Sequence, residues 1–62
     1  MTSYRVMITC ETGTRVLVGG AWEKQYHTIT ALITSDEQEA RDLVLYQKEN
    51  RTNKDVWYEE KE

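Results

Sequence analysis

Residues 4–11, YRVMITCE, alternate Tyr4, Val6, Ile8 and Cys10 against Arg5, Met7, Thr9 and Glu11, the period of a strand with one better-buried face. Thr12-Gly13-Thr14 then predicts a turn, because glycine accepts the positive φ that tight turns need. Residues 15–18, RVLV, resume as a second strand and make a hairpin with the first. Gly19-Gly20 interrupts that strand, and residues 19–25 show no clear period, which predicts a loop carrying Trp22. A third strand follows over residues 26–34, with Ile29, Ala31 and Ile33 on one parity and Thr28, Thr30 and Leu32 on the other.

The period then changes. Ser35-Asp36-Glu37-Gln38 has the form of a capping box, in which the Ser35 hydroxyl accepts a backbone N–H and Gln38 reaches back to the Ser35 N–H. A helix is expected over residues 36–50, its apolar stripe formed by Ala40, Leu43, Val44 and the stem of Gln47 at helical spacing. Asp36, Glu37 and Glu39 suit the positive end of its dipole, and Lys48, Asn50 and Arg51 suit the other end. Thr52-Asn53-Lys54 reads as a turn, residues 55–59, DVWYE, as a short last strand, and Glu60-Lys61-Glu62 as a frayed end.

These elements predict a single α+β domain: a small antiparallel sheet in the order β-β-β-α-β with one helix packed on one face. By parity, Val6, Ile8, Val16, Val18, Ile29, Ala31, Ile33 and Val56 line the helix side together with Ala40, Leu43 and Val44. Met7, Leu17, Leu32 and Trp57 fall on the opposite side among Arg5, Arg15, Thr9, Thr28 and Thr30. That is more apolar surface than a solvated sheet face needs, so this side is the expected partner-binding surface. Trp22 either folds back over the sheet edge or projects as an interface anchor. Trp57 and Tyr58, adjacent on one strand, must face opposite sides.

Composition narrows the function classes. At 62 residues the chain is near the lower size at which a hydrophobic core alone keeps a domain folded, so a partner or a homodimer is expected to help. Without proline, and with charges of both signs interspersed, it reads as a compact domain. Its longest apolar run, Val16-Leu17-Val18, is far short of a membrane span, and no basic start followed by an apolar stretch predicts secretion. One cysteine makes no internal disulfide, which fits a reducing cytoplasm. A net charge of −3 argues against a general nucleic-acid binder without excluding a basic patch.

Chemistry-bearing residues are sparse. Cys10 shares parity with the core residues and reads as a buried thiol; His27, the only histidine, can pair with it across neighbouring strands but reads as a coincidental histidine at a strand end. Two such residues make neither a metal site nor a nucleophile with its base, so no cofactor, no metal and no enzymatic activity are expected. Gly19-Gly20 has no Lys-Ser/Thr after it and is not a phosphate loop. Asp36, Glu37, Glu39 and Asp42, with Glu59, Glu60 and Glu62, make either a solvated face or an acidic array resembling a phosphate backbone.

The stretch ITSDEQEARDLV, preceded by a hairpin and followed by a short strand, resembles small bacteriophage accessory proteins. The kind it resembles is the phage-encoded inhibitor of host RNA polymerase with a strand, strand, helix, strand order. That resemblance implies a non-enzymatic protein that binds and modulates a larger host protein, and it carries over no site residue. The stretch YRVMITCETGTRVLV is also similar to the three-stranded amino-terminal DNA-binding domain of phage-type integrases, which implies Arg5, Arg15, Lys24 and His27 as positive sheet residues. Such domains are usually basic, and this chain is acidic. A protein-binding accessory module is the first expectation; sheet-mediated DNA binding and acidic DNA mimicry are the alternatives.

Overall fold

The computed structural model describes residues 2–61. The elements are β1 (Ser3–Val18), β2 (Ala21–Thr34), α1 (Glu37–Lys48) and β3 (Asn53–Lys61). All strand pairs are antiparallel, in the spatial order β2-β1-β3. The α+β class, with a small antiparallel sheet and one helix, is as expected, but the chain order is β-β-α-β and not β-β-β-α-β.

The difference lies in which glycines turn the chain. Thr12-Gly13-Thr14 does not reverse it. Between the pairs Glu11↔Tyr26 and Arg15↔Lys24, these three residues oppose Gln25 alone, so β1 bulges and continues. Gly13 takes φ 85, and the Thr14 N–H donates to the Thr12 hydroxyl at 3.1 Å. The reversal falls at Gly19-Gly20, with φ 57 and 86, positive at both central positions as a type I′ hairpin turn requires. Val18 pairs with Ala21 directly across it. The expected loop at 19–25 is therefore mostly strand, and Trp22 is cross-strand partner of Leu17.

The core is small: Val6, Ile8, Val56, Ala40 and Val44, with Tyr4, Cys10, Leu32, Leu43 and Tyr58 packed at its margin. The stripe Ala40, Leu43, Val44 and Gln47 faces inward as its spacing predicts. Five expected core residues do not join it: Val18, Ile29, Ala31 and Ile33 are exposed, and Val16 is half-buried out on the hairpin. One cause is a second bulge. Val6 pairs with Leu32 and Met7 with Thr30, so Ala31 is the extra residue and parity inverts around it. Leu32 therefore lies on the helix side and Ile33 on the open side, the reverse of a regular strand. The other cause is reach, since β3 pairs only with residues 3–10 of β1 and the helix packs over that end.

Asp36, and not Ser35, caps the helix. Its carboxylate accepts the Gln38 N–H at 2.9 Å, and its own N–H donates to the Thr34 hydroxyl at 3.1 Å. Gln38 turns forward to donate to Asp42 at 2.9 Å, so no capping box forms. At the carboxyl end the Asn53 amide donates to the Gln47 carbonyl at 2.7 Å, replacing the glycine that often ends a helix. The last strand runs longer than residues 55–59 and includes Glu60 and Lys61, expected to fray. Glu62 lies outside the described residues.

Candidate binding surface

Antiparallel partners share a face, so register and period assign the uncovered side of the sheet. At the base it carries Arg5, Met7 and Thr9 from β1, Thr28, Thr30 and Ile33 from β2, and Trp57 and Glu59 from β3. Met7 stands directly opposite both Trp57 and Thr30, and the Thr30 hydroxyl donates to its sulfur at 3.4 Å. Thr9 and Thr28 join hydroxyls at 2.9 Å. Met7, Trp57 and Arg5 are half-buried by their neighbours, whereas Ile33 is 66% exposed.

Beyond residue 10, β1 and β2 continue without a third strand as a hairpin arm. β2 keeps an unbroken period from Thr30 back to Ala21, which puts Trp22, Lys24 and Tyr26 on the side of Thr28 and Thr30. Leu17 and Arg15, paired with Trp22 and Lys24, lie there too. Leu17 is 61% and Trp22 67% exposed, so the arm ends in an open apolar pair. Lys24 reaches back to Glu11 at 3.0 Å, and the Lys54 ammonium stands 4.8 Å above the Tyr26 ring.

Of the residues expected to form the surface, Met7, Trp57 and Arg5 cluster at the base, and Leu17, Trp22 and Arg15 cluster on the arm. Leu32 is a correction: the Ala31 bulge turns it toward the helix, where it packs at the core margin. Sequence reasoning missed Ile33 for the same reason. It also missed Tyr26, whose place on the arm depends on Gly19-Gly20 being the turn.

The basic reading fares differently residue by residue. Arg5 lies opposite Ile33 and Glu59, with its Nε enclosed and without a hydrogen-bond partner among the described residues; Lys24 is tied to Glu11. On the helix side, Arg41 donates through Nε to the Tyr58 hydroxyl at 3.1 Å and approaches Glu37 at 3.6 Å. That hydroxyl bond holds the guanidinium above its ordinary value, with the Tyr58 and Glu37 charges adding to it. Tyr4 stacks edge-on against Tyr58, ring centroids 6.1 Å apart, and desolvation followed by Glu37 and Glu60 raises its phenol above the ordinary value.

Cys10 is half-buried, with His27 opposite on one side and Asn53 on the other. No hydrogen bond joins the thiol to the imidazole among the described residues, and the Asn53 amide is engaged with Gln47. Among the described residues no group of three or more His, Cys, Asp or Glu side chains is gathered for a metal, and no helix is long and apolar enough to cross a membrane. Comparison with protein-family models, curated proteins and solved structures finds no match to the chain.

Proposed function

We propose that this chain is a non-enzymatic protein-binding module, acting through the open sheet face and the hairpin arm on a larger protein. The observation that carries the reading is the placement of Met7 and Trp57 at the base and of the exposed Leu17 and Trp22 on the arm, all on one side of the sheet. A tryptophan two-thirds exposed beside a leucine is an unusual surface for water and a usual anchor for a partner. The strand, strand, helix, strand order supports the accessory-protein reading, since it is that of the phage polymerase inhibitor the chain resembles. In that reading the protein works in the host cytoplasm.

Sheet-mediated DNA binding has less support. A two-stranded ribbon suits the major groove, but Lys24 is paired with Glu11 and Arg5 lies beside Glu59, so few free cations face outward. Glu37 is likewise engaged with Arg41, which weakens an acidic mimic centred on the helix start. The test is retention of host proteins on immobilised chain. The Met7→Glu, Leu17→Glu double variant should lose the partner while its far-ultraviolet dichroism keeps the helix signal. Undiminished retention would sink the reading.

A further inference from the structure

We infer that the outer edge of β2 pairs with the β2 edge of a second copy, antiparallel about a two-fold axis, to give one continuous six-stranded sheet. The two edges of the sheet are built differently. β3 carries Lys54, Asp55, Glu59, Glu60 and Lys61 and a bulge at Lys54, which are the devices that keep an edge from recruiting another strand. β2 has no proline, and from Gln25 to Ser35 no Asp, Glu, Lys or Arg. Its unpaired backbone groups from Gln25 to Thr30, without charge and ahead of the Ala31 bulge, are therefore an unguarded template.

A second copy fits this edge for reasons of length, charge and strand count. The Ala31 bulge limits the regular part of β2 to residues 21–30, and a two-fold axis beside Tyr26 gives a ladder over residues 22–30. An axis there normal to the sheet keeps helix side with helix side. Glu23 then faces Ile29 and Lys24 faces Thr28 of the second copy. No like charges meet. Each arm then lies along the base of the other copy, and the two helices sit at opposite ends of one face.

The arm gains the most. A two-stranded hairpin is marginal in water, and here it projects beyond the third strand and the helix. The chain measures 49 × 23 × 13 Å with a radius of gyration of 14.2 Å, against about 10.6 Å for a compact chain of this length. Its accessible surface of 4754 Å² exceeds the about 4,200 Å² typical of a monomer of its mass. Pairing sets each two-stranded arm against the three-stranded base of the other copy, a five-stranded layer, and leaves the open faces of both copies free. It is thus independent of what those faces bind.

Sedimentation velocity over a concentration series tests this. The wild type should sediment as a dimer. Thr28→Lys, which sets like charges against Lys24 of the second copy at the loss of the Thr9 hydroxyl bond, should sediment as a folded monomer, and Thr28→Glu should restore the dimer. A wild type monomeric up to about 1 mM, the concentration at which association of about 4 kcal/mol would show, overturns the proposal. So does a Thr28→Lys variant that stays dimeric. If Thr28→Lys fails to fold, mild oxidation of Tyr26→Cys in a Cys10→Ser background decides: an intermolecular disulfide supports the pairing, and its absence overturns it.

Discussion

Asp36 sets where the helix begins, because its carboxylate satisfies the Gln38 N–H while the Thr34 hydroxyl holds its own N–H. Asp36→Ala should cost about 1 kcal/mol and Ser35→Ala close to nothing, measured as shifts in the urea midpoint. The choice between two adjacent capping residues was not legible in SDEQ, since both types cap equally well; backbone geometry decided it. Tyr4 makes a second case. Its phenol is raised in the folded chain, so the unfolded chain loses that proton first. The stability Tyr4 contributes is complete below its ordinary value of 10.0 and declines as pH rises above it. Urea midpoints across the alkaline range should fall, and Tyr4→Phe should flatten the fall.

At the scale of elements, the hairpin shows how two glycine-containing segments with the same local signal divide the work. Gly13 sits in a bulge and Gly19-Gly20 in the turn, and only the pairing of Arg15 with Lys24 tells them apart. Removing Gly13 and Thr14 leaves one residue opposite Gln25, so the ladder becomes regular and no face inverts. Contacts between the Leu17 and Trp22 side chains in nuclear Overhauser spectra should survive this deletion. Gly20→Val should do the opposite, forcing a β-branched residue to φ 86 and lowering stability by about 1–2 kcal/mol. The helix was more legible: spacing alone placed Ala40 and Val44 in the core, because a period of 3.6 residues admits one buried stripe.

At the scale of the molecule, the five buried side chains among the described residues, Val6, Ile8, Ala40, Val44 and Val56, hold together a chain far longer than it is thick. A domain of this size has a total stability of about 3–9 kcal/mol. Val6, fully enclosed, is the residue whose loss the molecule tolerates least. Val6→Ala should remove about 2 kcal/mol or more, with helix and sheet signals melting together in thermal dichroism. What the sequence determined by itself was local: strand and helix periods, the apolar stripe of α1, the α+β class, and the outward placing of Met7 and Trp57, since each follows from alternation or spacing within one segment. What only tertiary structure decided was register. The Ala31 bulge on β2 moved Leu32 inward and set Ile33 outward, and the reversal at Gly19-Gly20 brought Trp22 beside Leu17, because a bulge and a turn with the same local signal are told apart only when the opposing strand is in place.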